Sequence, residues 1–382
     1  MSGILMVAGE PSGDRHGADL ARALRGVLPQ TRLWGMGGEH MAREGVELLV
    51  DMKGLSVVGI SEVLGHIGAV LGARRAILRE VDRDPPVLGI LIDFPDFNLW
   101  LARSLRGRAV PLLYYIVPQV WAWRRRRVRT MARLLDRVAT ILPFEEEIFR
   151  RAGIAAQYVG HPLLEQVDGR ISREEARTLL GFSPGTPILG LFPGSRPGEV
   201  ERLLPIMLEA VRLAMEQIPE MKPVVALSTL VSKERTEGSI RSCGLEVDVV
   251  AGQAHTVMRA SKVAVAASGT VTLEAAILET PLLIIYRTSW ITYMLGRLLA
   301  TVQHVGLVNV LAGERIVPEL IQGALTPRSL CDALVNLWKD ESGCREMVRR
   351  LRQVTGSLGS GVASRRTAEI VLEMLSREGS GG

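Results

Sequence analysis

Ile4-Leu-Met-Val-Ala-Gly9-Glu-Pro-Ser-Gly-Asp14, followed by the helical pattern over 15–25, is the stretch that sets the fold class. Five apolar residues end at a glycine and turn at once into a helix, which is how a doubly wound α/β domain opens. The same grammar recurs along the chain. Short apolar runs bounded by Gly, Pro or Asp occur at 87–92, 111–117, 139–142, 188–192, 224–227, 263–267 and 281–286, with helical patterns between them. Buried parallel strands read this way, and their ligands collect at the carboxyl ends. The Gly-, Ser- and Asp-rich strand ends are therefore the candidate functional groups.

The 382 residues suffice for two such domains. The alternation pauses at Gly160-His161-Pro162 and the polar stretch 168–175, then restarts at Pro187. This spacing predicts domains over 1–165 and 166–344. Helices follow over 345–382, with apolar faces at Met347, Val348, Leu351, Val354 and at Ile370, Val371, Met374, Leu375, and the last four residues are frayed. An apolar fraction of 47% with 23% charged residues excludes a disordered or fibrous chain. A formal charge of +5 is too small at this size to drive nucleic-acid binding. Three cysteines, Cys243, Cys331 and Cys344, form neither a disulfide framework nor a metal spacing and indicate a reducing compartment. The N-terminus has no basic segment or cleavage site, so a cytoplasmic protein is expected. The uncharged apolar stretch 109–123 is broken by Pro111 and Pro118 and falls short of the roughly 20 residues that span a bilayer.

Several strand ends carry chemistry. Gly9, Ser12 and Gly13 lie where backbone amides and a helix start can meet an anion. The spacing of Gly9, Gly13 and Gly17 is not the dinucleotide fingerprint, which disfavours a hydride-transfer cofactor. A plain tight turn with Ser12 or Asp14 as N-cap accounts for the same residues. Asp93, Asp96 and Asn98 follow the 87–92 run. A carboxylate there can act as a general base or can merely cap the helix beginning near Leu99. Asp82 and Asp84 have the spacing of a metal pair but enter a strand, the wrong edge, and read as a solvated loop. Trp121 and Trp123, followed by Arg124–Arg127 and Arg129, suit a phosphorylated or lipidic ligand. Ile60, Val63, Leu64, Ile67, Val70 and Leu71 form a helical stripe closed by Arg74 and Arg75, the pattern of an interfacial helix and also of a core-facing one. In the second half, Gly194, Ser195 and Arg196 follow one strand, and Ser268, Gly269 and Thr270 follow another, with Glu274 one turn on. Two such strand-to-helix anion sites, with a carboxylate placed for ribose hydroxyls, point to a nucleotide.

Gly9-Glu-Pro-Ser-Gly-Asp14, Ile92-Asp-Phe-Pro-Asp-Phe-Asn98, Pro118-Gln-Val-Trp-Ala-Trp-Arg124, Leu142-Pro-Phe-Glu145, Gly160-His-Pro162, Pro193-Gly-Ser-Arg196 with Glu199, Ser268-Gly-Thr270 with Glu274, and Asn309-Val-Leu-Ala-Gly313 together resemble the lipid-A-disaccharide synthases over nearly the whole chain. The resemblance implies a GT-B glycosyltransferase fold: two Rossmann-like domains facing across a cleft, with the 345–382 helices returning to the N-terminal domain. It implies inverting transfer from UDP-2,3-diacylglucosamine to 2,3-diacylglucosamine 1-phosphate, giving a β-1,6-linked disaccharide and UDP. Asp96 would be the base, with Glu10 the second candidate. Ser12, Gly13, Asn98, Gln119 and Trp121 would line the acceptor side. Gly194, Ser195 and Arg196 with the amides of Ser268, Gly269 and Thr270 would hold the diphosphate, Glu274 the ribose, and Asn309 the donor. Neither metal nor cofactor is implied, since Arg and helix starts can neutralise the departing UDP. Because both substrates carry acyl chains, the stripe from Ile60 to Leu71 becomes a membrane-facing patch on a protein attached peripherally to the inner membrane, and the resemblance leaves a homodimer open. One departure is Leu307-Val308-Asn309, where the family usually has Leu-Pro-Asn. A UDP-N-acetylglucosamine 2-epimerase and a transferase acting on another lipid-linked acceptor are the competing readings.

Overall fold

The computed structural model describes residues 3–55, 63–118, 126–229, 231–289 and 304–378, without the side chains of 54–55, 63–67, 126, 242 and 377–378. It divides into two units, Met1–Pro162 with Leu358–Gly382, and Leu163–Ser357. Each is built on one parallel sheet. The first contains β1 (Ile4–Ala8), β2 (Leu33–Gly37), β3 (Glu47–Asp51), β4 (Leu88–Ile92), β5 (Leu112–Tyr115), β6 (Arg137–Thr140) and β7 (Ala155–Tyr158), in the order β3-β2-β1-β4-β5-β6-β7. The second contains β8 (Ile188–Phe192), β9 (Lys222–Leu227), β10 (Asp248–Ala251), β11 (Ser261–Ala267), β12 (Leu282–Tyr286) and β13 (Glu319–Ile321), in the order β10-β9-β8-β11-β12-β13.

The inner strands are apolar throughout because helices cover both faces of a parallel sheet. Every residue of β1, β4, β5 and β8 is buried. In each sheet the strand order reverses once, between β1 and β4 in the first and between β8 and β11 in the second. These are the switch points, where the two neighbouring crossovers depart to opposite faces and leave room for a ligand. Register places the paired turns side by side, with Ala8 opposite Ile92 and Phe192 opposite Ala266.

The C-terminal helices do not form the single returning segment expected over 345–382. The helix Glu341–Gly356 packs in the second unit, against Val271–Ile277, Leu307–Ala312 and Pro327–Lys339. Only the helix Ala363–Glu378 packs on the first unit, against Pro11–Val27. There Ala368, Ile370, Val371 and Met374 join the core beneath β1 and β4, and each fully buried aliphatic contributes about 1.5–3 kcal/mol. The crossing point is marked by the His161 N–H, which donates to the Leu358 carbonyl at 2.8 Å. Helical spacing showed that both helices have one apolar face, but not which sheet each face would meet.

The first unit also buries two imidazoles. Burial depresses His16 to about 4, with Arg15 adding to the effect, and depresses His161 to about 3, with His16 adding there. In the unfolded chain both protonate near the ordinary value of 6.5, so the stability they allow is full above that pH and is lost as pH falls toward 4. Asp93 works in the opposite sense, because its carboxyl is raised to about 6 and takes up a proton in the folded state first. Two groups outweigh one, so the unit loses about 1.4 kcal/mol between pH 6 and 5. Its melting temperature should drop by about 3–6 °C over that step, and a flat calorimetric profile would show that these imidazoles are not held neutral.

Candidate functional site

At the first switch point the helix begins at Pro11, with the proline in its first turn and Glu10 at the N-cap position. This is earlier than the spacing suggested, and it moves Ser12 and Asp14 inside the helix, so neither is its N-cap. Asp14 is buried and accepts from the backbone N–H groups of Gly38, His40 and Met41 at 2.7, 3.0 and 3.1 Å. It fixes the turn after β2. Ser12 is exposed, whereas Gly13 is buried against the end of β1, where an added Cβ would touch Ala8. Of these two acceptor-side candidates, Ser12 is open to a ligand and Gly13 serves helix–strand packing.

The partner turn after β4 is strained. Asp93 and Phe94, neither of them glycine, both have φ of 48°, an arrangement that costs about 1–3 kcal/mol per residue and persists only where neighbours enforce it. The enforcing groups are visible. Tyr114 donates its hydroxyl to the Asp93 carbonyl at 2.7 Å. Asn98 donates through Nδ2 to the carbonyls of Asp93 and Ile92 at 2.7 and 3.2 Å. Asn98 has no exposed surface, so its expected place on the acceptor wall is corrected: it holds the turn from behind. Gly9 supplies the remaining room, since a Cβ there would sit 2.2 Å from the Phe94 ring. The strain re-aims two carboxylates. Asp93 is mostly enclosed, and burial with the Glu10 charge beside it raises its carboxyl to about 6. Asp96 lies in the first turn of the helix Pro95–Arg106 with its side chain 83% exposed, ion-paired to Arg127.

Arg127 is the described member of the arginine cluster that meets this site; Arg129 is exposed. Gln119, Trp121, Trp123, Arg124 and Arg125 lie outside the described residues, as does Ile60, and so do the side chains of Val63, Leu64 and Ile67. Further along that helix, Val70 packs partly against the core. Arg74, which closes the stripe, is engaged within the unit: its guanidinium donates to Ser104 and stacks 4.3 Å from the Trp100 ring. Asp82 and Asp84 do not form a metal pair, since Asp82 binds Arg108 and Asp84 binds Arg32.

At the second switch point, Gly194 has φ of 118° and faces Glu199 so closely that a Cβ would lie 2.4 Å from the carboxylate. Glu199 folds back over the start of the helix Pro197–Met215 and accepts from the Ser195 and Arg196 N–H groups at 3.1 and 3.4 Å. These amides are thus already capped, and what Ser195 and Arg196 offer a ligand is their exposed side chains. On the neighbouring turn the Ser268 N–H continues the sheet to the Ile285 carbonyl at 2.9 Å, while Gly269 and Thr270 are exposed. Glu274 stands in the first turn of the next helix, with His255 Nε2 at 3.5 Å. Asn309 is corrected as a donor contact. It is fully buried and satisfied by the loop 316–319, and among the described residues it is linked to the site through Glu319, which accepts from the N–H groups of Val305 and Gly306; Ser268 in turn donates to the Val305 carbonyl.

Two doubly wound units, each with a polar switch point and the second with anion- and ribose-suited groups, define the GT-B class of nucleotide-sugar enzymes. Solved structures agree on this fold. A UDP-GlcNAc 2-epimerase from Neisseria meningitidis bound to UDP-GlcNAc superposes with a TM-score of 0.67 at 11% identity, covering 97% of this chain and 99% of the other. The calicheamicin glycosyltransferase CalG4 gives 0.59 at 16% identity, covering 99% of both. Such distant likenesses speak for the fold alone. Sequence decides the family: the chain belongs to the lipid-A-disaccharide synthetase family, which it matches over residues 4–373. The lipid-A-disaccharide synthase of Myxococcus xanthus (strain DK1622) is 45% identical over 372 residues, 97% of each chain, and that of Geobacter sulfurreducens is 42% identical over 376 residues, 98% of each.

Proposed function

We propose that this glycosyltransferase moves the diacylglucosaminyl group of UDP-2,3-diacylglucosamine to the 6-hydroxyl of 2,3-diacylglucosamine 1-phosphate, giving a β-1,6-linked disaccharide 1-phosphate and UDP. The observation that carries this reading is family membership over residues 4–373, with candidate groups for both halves of the reaction at the two switch points. In a single inverting displacement the acceptor oxygen bonds to the anomeric carbon while the bond from that carbon to the diphosphate breaks, and UDP departs with the electron pair. Asp96 accepts the hydroxyl proton. The Arg196 side chain and the turn at Gly269 and Thr270 receive the charge that develops on the diphosphate, and Glu274 accepts the ribose hydroxyls. These charges suffice without a divalent metal. Purified protein with both substrates in detergent plus EDTA should release UDP and form disaccharide in equal amounts. UDP binding without turnover would reassign the acceptor to another lipid-linked sugar, and turnover abolished by EDTA would overturn metal independence.

Among the described residues no helix is long and apolar enough to cross a membrane. We infer peripheral attachment at the cytoplasmic face of the inner membrane, supported by the acyl chains of both substrates and by the stripe at Ile60, Val63, Leu64 and Ile67. Replacing Val63 and Leu64 by Ser should weaken sedimentation with phospholipid vesicles while leaving the melting temperature unchanged; a collapsed fold would instead place the stripe in the core.

A further inference from the structure

The carboxyl edge of the second sheet carries the nucleotide-side groups, but the amino edge of the same sheet holds a cavity that the transfer reaction does not use. Its volume is about 690 Å³, and it opens around Lys262 in β11, Pro281 just before β12, and Trp338. Along a strand rising about 3.3 Å per residue, Lys262 is about 20 Å from the Ser268 turn. The lining carries five cations, Arg173, Arg259, Lys262, Arg345 and Arg352, against three carboxylates, Glu174, Glu279 and Glu341.

Most of these charges have occupations. Arg352 binds Glu279 through two nitrogens, and Arg345 stands 3.6 Å from Glu341. Arg259 donates to the carbonyls of Ile171 and Leu278, both at 2.8 Å. Two cations remain. Lys262 lies 4.8 Å from the Trp338 ring and, like Arg173, enters no ion pair among the described residues. Among the described residues Arg173 has a buried Nε–H with no acceptor, and the indole N–H of Trp338, a residue 2% exposed, has none either. Burial and the charges of Arg177 and Arg259 push the Arg173 guanidinium below its usual range. Unsatisfied buried donors are costly, and although Glu174 and Glu279 offset part of the Arg173 charge, an oxyanion would supply the missing acceptors.

We propose that this cavity is a second anion site, in which Arg173, Lys262 and the Trp338 indole N–H receive the phosphoryl group of a phosphorylated ligand. The Trp338 ring and the faces of Pro281 and Val348 would cover the apolar part of that ligand. A lipid headgroup and a free organic phosphate present the same chemistry here. The site does not depend on the proposed transfer reaction.

The test titrates inorganic phosphate into the full chain by calorimetry, with and without saturating UDP. Phosphate should bind in both conditions. With UDP saturating, so that the nucleotide-side groups are occupied, Lys262→Gln, a change at a half-buried position, should weaken this binding about tenfold, as should Arg173→Gln, whereas Arg212→Gln, outside the cavity lining, should leave it unchanged. Binding that disappears under UDP, or that survives Lys262→Gln unaltered in a protein with the parental melting temperature, would overturn the site. Because Lys262 lines the cavity and none of the nucleotide-side groups does, failure here is distinguishable from failure of the nucleotide reading. Sedimentation with phosphatidylcholine vesicles, with and without phosphatidic acid, separates the sources. Phosphatidic-acid-dependent binding that Lys262→Gln weakens and phosphate competes assigns a lipid headgroup. Phosphate binding with no such vesicle dependence assigns a soluble phosphorylated ligand.

Discussion

Asp96→Asn should lower kcat by about 10²- to 10⁴-fold with KM little changed, the loss expected when a general base is replaced by its uncharged isostere. The acceptor hydroxyl must shed its proton as the new bond forms, and a sugar hydroxyl is far too weak an acid to do so unaided. Asp96 meets the requirement of access, since its side chain is 83% exposed at the switch-point turn. Its ion pair with Arg127 orients it, and the amide of Asn can keep an acceptor oxygen toward that guanidinium. Asp93, three residues earlier, is the informative comparison. It is enclosed, raised to about 6, and held in a left-handed conformation that Asn also adopts readily, so Asp93→Asn should fold and retain most of the activity. The opposite pattern would make Asp93 the base. In that case kcat/KM would fall as pH drops through about 6, because only the ionised carboxylate accepts a proton. Near-normal turnover in both variants would remove this turn from the chemistry.

The two carboxylates show what the sequence discloses and what it conceals. Residues 92–98 disclosed a strand end rich in carboxylates, and the parallel-strand rule located it on the functional edge. Nothing in that string disclosed that Asp93 and Phe94 share positive φ: Asn98 stands within it, but the other enforcing groups, Tyr114 on β5 and Gly9 just beyond β1, come from elsewhere in the chain. The same limit explains β2 and β13, two of the five strands, with β3, β7 and β10, that the apolar runs did not reveal. β2 reads Leu-Trp-Gly-Met-Gly, and its two glycines imitate a loop although every residue is buried. β13 has three residues and begins with Glu319, a charge that local pattern assigns to solvent and that the structure buries among backbone donors. The long apolar inner strands, by contrast, were legible almost to the residue, since a strand covered on both faces needs no partner's identity to reveal itself. Site residues fared in the same way. Glycine- and serine-rich turns identified themselves, but the fold-back of Glu199 onto the Ser195 and Arg196 amides is a tertiary choice between two acceptors, side chain or ligand.

Asn309→Ala should destabilise the second unit by about 3–5 kcal/mol, a large share of the stability of an ordinary domain. The side chain is fully buried and makes four hydrogen bonds. Oδ1 accepts from the Ile316 and Val317 N–H groups, both at 2.9 Å, and Nδ2 donates to the Val317 carbonyl at 2.8 Å and to Glu319 Oε1 at 2.7 Å. Alanine leaves two backbone donors without acceptors and takes a donor from a buried carboxylate, and each such orphan costs about 1–3 kcal/mol, less than additively within one network. Asn309→Asp is the sharper variant. It keeps the acceptor for Ile316 and Val317 but sets a second carboxylate against Glu319, so it should be at least as damaging at neutral pH and partly recover as the pair takes up a proton in acid. The Val308 that stands before Asn309 is fully buried in the first turn of the helix Leu307–Ala312. In a first turn the proline usual in the family would have lost no intrahelical bond, so valine can preserve the same start, and the network rather than residue 308 sets the loop. Calorimetric melting decides the role of Asn309. A lowered transition fits the network, whereas an unchanged transition with a raised KM for the UDP-sugar would return Asn309 to direct donor contact.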